Sequence, residues 1–217
     1  MSSADLVTPW LQLGLLVAGT YLLGAIPGGL LLGMAMGRNL LQYGSGKTGA
    51  TNTLRTLGLP AGIAVFAFDI AKGALAVVIS SLLSWPGEEW LDIAIGSAGA
   101  AAIAGHNWSV WVRLLAGRWG GGRGILTAVG AMLVVDPLVV FAAAAVGAAA
   151  LAVSRYVVVG AVAGALAGLV AAALLVQLQV ISPWLLPGIA AWALLVIAGF
   201  YDSIARLRRG TERRLGE

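Results

Sequence analysis

Three polar segments carry the groups that can do chemistry in this chain, and each is suited to an anion. The first is Gly44-Ser45-Gly46-Lys47-Thr48-Gly49-Ala50-Thr51-Asn52-Thr53-Leu54-Arg55. Glycines such as Gly46 let successive backbone N–H groups point at one anion. Ser45, Thr51 and Asn52 add neutral donors. Lys47 and Arg55 add charge, and an arginine can grip phosphate through two parallel bonds. The run Gly46-Lys47-Thr48 imitates the end of a nucleotide P-loop. That motif needs a glycine where Leu41 stands and a strand before it, whereas an apolar helical run precedes this loop. The competing reading is a flexible basic loop with no ligand.

The second segment, Asp69-Ile70-Ala71-Lys72-Gly73, lies inside an apolar run. Ionisable groups at that depth cost about 2.5–3.5 kcal/mol each on insertion scales. Residues three apart on a helix can face each other, so an Asp69–Lys72 pair relieves much of this cost. Helical side chains lean toward the N-terminus of their helix, which aims Lys72 at the polar loops. The pair is either structural or the wall of a site. The third segment runs from Gly105-His106-Asn107-Trp108 to Arg118-Trp119-Gly120-Gly121-Gly122-Arg123-Gly124. Gly121, Gly122 and Arg123 precede a helix start, a natural seat for an anion. His106 is the one side chain whose ordinary pKa suits proton transfer near neutrality; a buried structural histidine is the alternative. A basic tail from Arg206 to Arg214 reads first as an anchor to anionic lipid.

These segments need helices to position them. The chain is 60% hydrophobic and 10% charged, against about 25% charged in soluble domains. The reading is an all-α polytopic membrane protein, one domain over residues 1–217. There is no Cys and one His, which excludes thiolate and multi-histidine metal centres. The basic residues form no aromatic-interleaved stripe, so nucleic acid is not expected as a partner and membrane lipid is. The first basic residue is Arg38, so no signal peptide is expected. Apolar runs of spanning length are expected at about Trp10–Met36, Ala61–Leu83, Ile93–Val112, Tyr156–Leu178 and Trp184–Ile204. The stretch Gly124–Val153 is interrupted by Asp136-Pro137.

Charge decides how that stretch is read. Twelve of the thirteen Lys and Arg residues lie between runs or in the tail. Two short helices, Gly124–Val135 and Pro137–Val153, give seven spans, and all twelve then fall on the side taken as cytoplasmic. Asp5, Glu88, Glu89, Asp92 and Asp136 fall opposite. The N-terminus is then outside and the C-terminus cytoplasmic. The helix ending at Val135 is only about 18 Å long, so some helices are short. Pro137 suits the first turn of its helix.

Together these motifs resemble the bacterial acyl-phosphate:glycerol-3-phosphate acyltransferases, the PlsY type of integral membrane enzyme. That family carries a Ser-Gly-Asn-x-Gly-Ala-Thr-Asn-x-x-Arg loop, an Asp-x-x-Lys-Gly segment, a Gly-His-Asn…Gly-Gly-Lys-Gly loop and an Arg-Leu…Gly-Thr-Glu tail. They correspond here to Ser45–Arg55, Asp69–Gly73, Gly105–Gly124 and Arg206–Glu212. The resemblance implies seven helices with cytoplasmic motif loops in a bacterial cell membrane. It implies transfer of a fatty acyl group from acyl phosphate to the 1-hydroxyl of glycerol 3-phosphate, with no metal or other cofactor. An acyl-phosphate-producing enzyme is a further partner. Ser45, Lys72, His106 and Arg123 are expected in catalysis. Gly46, Thr51, Asn52, Arg55, Asn107, Gly121, Gly122 and Ser203 are expected to bind substrate, with Asp69, Arg206 and Glu212 in support. This chain departs from the family pattern at Lys47, Ser109, Arg123, Val158, Ala161, Phe200 and Ser203. The alternatives are an acyltransferase for another phosphorylated acceptor, or a non-catalytic membrane protein that binds anions or lipid.

Overall fold

A computed structural model describes residues 3–215, with side chains from residue 8 onward. Every regular element among the described residues is helical. The first apolar run, expected as one helix to Met36, is broken in two: α1 (Ser3–Ala25) and α2 (Gly28–Ala35). The break falls at Ile26-Pro27. Proline has no N–H for the helical ladder and its ring disfavours helical geometry in the residue before it. A short 3₁₀ turn (Leu40–Gln42), N-capped by Asn39, leads through the first polar loop to α3 (Ala50–Leu57). The second run is α4 (Leu59–Leu82), as expected, with Pro60 in its first turn.

The third run, expected to reach Val112, divides as well. α5 (Glu88–Asn107) ends at Trp108, and Ser109 caps α6 (Val110–Ala116) by accepting the Val112 N–H. The stretch from Gly124 forms two helices, α7 (Ile125–Val135) and α8 (Pro137–Ser154). Asp136 Oδ1 accepts the Leu138 N–H at 2.7 Å, so the residue that interrupts the apolar pattern is an N-cap. α9 spans Val157–Gln177. The last run is another correction. It forms α10 (Leu186–Gly199) and α11 (Tyr201–Arg208), bent by 55° at Phe200.

Among the described residues, four segments are long and apolar enough to cross a bilayer: Thr8–Ala35, Leu59–Leu82, Pro137–Ser154 and Val157–Gln177. The α10–α11 region makes a fifth if its bent pair counts as one span. α5 sits at the centre, against α1, α4, α7 and α10. α4 also packs on α7, and α8 on α9. Small residues set the spacing: a Cβ on Gly147 of α8 would lie 2.9 Å from the Gly160 carbonyl of α9. The main apolar cluster joins Val77, Ile103, Met132, Val139, Ile189 and Trp192. A second cluster, of Leu16, Ala76, Ala94, Ala98 and Ala102, ties α1 and α4 to α5.

Candidate active site

The site is built on the break in the first apolar run. Because the helix stops at Ala25, the Ile26 carbonyl is released from an α-helical ladder. Lys72 Nζ, in α4, donates to it at 3.2 Å and lies 3.0 Å from Asp69 Oδ1, the expected i,i+3 pair. His106 at the end of α5 turns Nδ1 toward the same carboxylate at 3.5 Å, longer than a good hydrogen bond. Asp69, Lys72 and His106 are all buried. The Asp69–Lys72 ion pair and the His106 ring form one buried cluster.

The first loop is organised by Asn52, which sequence reasoning assigned to the ligand. Its Nδ2 donates to the carbonyls of Leu40, Tyr43 and Lys47, and its Oδ1 accepts the Ser45 N–H at 3.1 Å. Both ends of the amide are therefore spent on the loop itself. Gly44 and Gly46 take the left-handed conformation that the tight turn requires. Thr51 and Arg55, four apart on α3, share its exposed face, and Ser45 is exposed as well.

The glycine-rich loop lies against both neighbours. Gly120 accepts the Ser109 N–H (2.8 Å), Gly121 accepts the Thr48 N–H (3.1 Å), and Gly122 donates to the His106 carbonyl (2.8 Å). The Thr48–Gly121 bond stitches the first loop to the third segment. Gly122 also differs from its expected role: its N–H is committed to protein, and its Cα packs on the imidazole so closely that a Cβ would overlap His106 Nε2. Both His106 nitrogens thus face protein. Asn107 Nδ2 donates to the Leu195 carbonyl (2.7 Å), while its buried Oδ1 has no partner among the described residues.

Arg123 follows the glycines at the N-terminus of α7. Its guanidinium lies 4.5 Å from the ring centre of Phe200. Burial pulls its pKa below the ordinary arginine value; Asp202 and Glu212 oppose that shift, and Arg206 and Arg55 add to it. Lys47 is likewise lowered, first by burial, with Arg123, Arg206 and Arg118 adding to the effect and Asp202 opposing it. Arg118 Nη2 also approaches the first segment, 3.4 Å from the Leu41 carbonyl. Arg206 is clamped by Glu212 (2.6 Å), Asp202 (3.3 Å) and the Ser203 hydroxyl (2.8 Å). Ser203 is fully buried there, serving Arg206.

An apolar groove of about 330 Å³ lies between α7, α8, α9 and α10, its α7 wall starting at Ile125, two residues after Arg123. Ile125, Leu151 and Val157 line it near the loops, and Met132, Val139 and Trp192 line its deep end. Trp192 is fixed by a 2.8 Å bond from Nε1 to the Gly96 carbonyl. Sequence reasoning missed Ile26 and Asp202, and gave Thr48 and Phe200 no role beyond a place in the first loop and a departure from the family pattern. Ile26 left a signal in the following Pro27-Gly28-Gly29. A basic loop face near a buried ion pair, with an apolar groove opening from the next residues of α7, can hold phosphate groups at one end of a lipid chain.

Comparison with known proteins agrees with that chemistry. Residues 14–210 match the family model described as glycerol-3-phosphate acyltransferase. A glycerol-3-phosphate acyltransferase of Thermus thermophilus is 34% identical over 198 residues, covering 91% of this chain and 92% of that one. Glycerol-3-phosphate acyltransferase 2 of Moorella thermoacetica is 38% identical over 209 residues, covering 96% and 98%. Among solved structures, PlsY, an integral membrane glycerol 3-phosphate acyltransferase, matches in its glycerol 3-phosphate form. The TM-score is 0.78, with 28% identity over 94% of this chain and 96% of that one. Its lysophosphatidic acid form superposes equally well at 27% identity. The chain belongs to the glycerol-3-phosphate acyltransferase family, with the PlsY type of integral membrane enzyme as its structural counterpart.

Proposed function

We propose that this protein transfers a fatty acyl group from acyl phosphate to the 1-hydroxyl of glycerol 3-phosphate, giving lysophosphatidic acid and phosphate. This is the first acylation of phospholipid synthesis. The relatives are named for glycerol 3-phosphate, and the solved counterpart is described with that acceptor and with lysophosphatidic acid. The observation that carries the reading for this chain is the Thr48–Gly121 bond, which brings the Arg55 loop and the Arg123 loop together.

Two anionic substrates repel each other, so the site must first neutralise them. The Ser45 and Thr51 hydroxyls and the Arg55 guanidinium take one phosphate. Arg123 takes the other, and Lys72 supplies positive charge from below. Holding both reactants side by side replaces much of the entropy cost of their encounter. The 1-hydroxyl oxygen forms a bond to the acyl carbon, and the bond from that carbon to the phosphate oxygen breaks. The hydroxyl proton goes to the departing phosphate. His106, enclosed between Asp69 and Gly122, braces the glycine loop. Cationic donors stabilise charge developing on the carbonyl oxygen. The acyl chain lies in the α7–α10 groove. Neither metal nor cofactor enters this scheme.

The loops face the cytoplasm of a bacterial cell membrane in this reading, the chain crosses seven times with α5 and α7 among the spans, and an acyl-phosphate-producing enzyme supplies the donor. Basic residues on one side support that orientation. A different phosphorylated acceptor is the second reading, favoured by the apolar Val158 and Ala161 and by the engagement of Ser203 with Arg206. Purified protein in proteoliposomes, given palmitoyl phosphate and glycerol 3-phosphate, should form lysophosphatidic acid. Arg55→Ala and Arg123→Ala should each lower the rate by about 10²–10³-fold, the loss seen when one transition-state donor is removed. No product with glycerol 3-phosphate, but acylation of another alcohol phosphate, would select the second reading.

A further inference from the structure

The bend between α10 and α11 grips Arg123 at both ends. A Cβ on Gly199 would stand 2.9 Å from the Arg123 carbonyl and 3.0 Å from Asn107 Nδ2, so the bare helix end seats directly on the loop backbone. The next residue, Phe200, is 1% exposed. Its ring lies 4.5 Å from the guanidinium carbon. Its N–H bonds the Ile197 carbonyl at 3.0 Å and its carbonyl accepts the Ile204 N–H at 2.8 Å, so the ring sits at a fixed corner of the backbone. Arg123 Nε is buried and has no hydrogen-bond partner among the described residues. The ring is therefore the contact available to fix the plane of the guanidinium.

We propose that Phe200 is a positioning residue for the reaction: by stacking on Arg123 it sets the plane in which the guanidinium meets a substrate phosphate. This rests on Arg123 being a phosphate ligand. Bidentate recognition of phosphate requires the guanidinium fork to be coplanar with two oxygens, and a free arginine side chain loses rotamer freedom to achieve that. A ring that already holds the plane removes part of that loss. Asp202, two residues further along the same bend, places an opposing charge near Arg123. A lysine at position 123 would gain less from the ring, because an ammonium has no plane to orient.

The test is steady-state acyl transfer in proteoliposomes by four variants. Phe200→Leu keeps apolar bulk and removes the ring face. It should raise KM for one phosphate substrate roughly 2- to 30-fold, the range of a cation–ring contact, with a smaller change in kcat. Phe200→Tyr should stay near the wild-type KM. In an Arg123→Lys background the Phe200→Leu effect should shrink toward none, a non-additivity that independent packing damage would not produce. If Phe200→Leu does not insert, Phe200→Met supplies the same comparison. Inorganic phosphate binding by calorimetry reads the effect in any variant too slow to assay. An unchanged KM in Phe200→Leu, or the same factor in both backgrounds, overturns the proposal while leaving the acyltransferase reading standing. Full activity in Arg123→Ala sinks the phosphate role of Arg123 and this inference with it.

Discussion

Lys72 donates to the Ile26 carbonyl at 3.2 Å, joining the middle of α4 to the break in the first apolar run. The buried cation is thereby shared between a carboxylate and a main-chain oxygen. Lys72→Met should leave Asp69 buried without its partner, at a cost of about 3–5 kcal/mol. A fall in melting temperature in detergent would show it. Combining Lys72→Met with Asp69→Asn should recover much of the stability but not the acyl transfer. Recovery of both would mean that the pair is purely structural.

Gly122 and Gly120 should respond differently to the same added methyl group. At Gly122 it would collide with the His106 ring, which has protein on every side; at Gly120 it would meet Val112 Cγ1 at 3.5 Å, an ordinary contact. Gly122→Ala should cost about 1–3 kcal/mol of stability, as overpacking does, and displace Arg123 enough to suppress turnover. Gly120→Ala should be nearly silent in both assays.

If the acyl chain of the proposed reaction occupies the α7–α10 groove, that groove gives it a depth. Ala128 lies on its α7 wall between Ile125 and Met132. Ala128→Phe fills the middle, and a chain that must pass the ring meets overpacking of about 1–3 kcal/mol. Palmitoyl phosphate should lose activity while lauroyl phosphate retains more of it. Equal loss with both donors would place the chain elsewhere.

Lys47 carries a pH signature. Burial and the neighbouring arginines hold its pKa below the ordinary lysine value of 10.5. Raising the pH therefore removes its positive charge earlier than from an exposed lysine. KM for a phosphate substrate should rise on the alkaline side as that charge is lost. Lys47→Arg, which stays protonated, should flatten this limb of the profile.

The orientation can be read with single cysteines, since the chain has none of its own. Gln42, at the end of the 3₁₀ turn before the first polar loop, and Glu89, in the first turn of α5, are both exposed, so Gln42→Cys and Glu89→Cys each present a thiol to solvent. An impermeant maleimide added outside the cell should label the second and spare the first. Labelling of the first would put the loops on the wrong side for an intracellular acceptor.

Much of this molecule was legible in residue order. The Asp69–Lys72 spacing dictated a pair on one helix face, because it depends only on residues a turn apart. The placement of cations on one side divided the stretch at Asp136-Pro137 into two helices, although the N-cap made by Asp136 emerged only in the structure. The breaks at Pro27 and Phe200 were harder. Apolar residues continue through each, and hydropathy does not register a lost hydrogen bond or a change of direction. The roles of the polar residues were harder still. Asn52 and Ser203 carry donors that suit a ligand, yet the fold spends them on loop carbonyls and on Arg206. A donor's composition says what it can bond, whereas its partner depends on which groups the chain brings within about 3 Å. Only the tertiary arrangement places Phe200, some eighty residues beyond Arg123, against that arginine, because a guanidinium meets a distant ring only where two separate stretches of backbone come together.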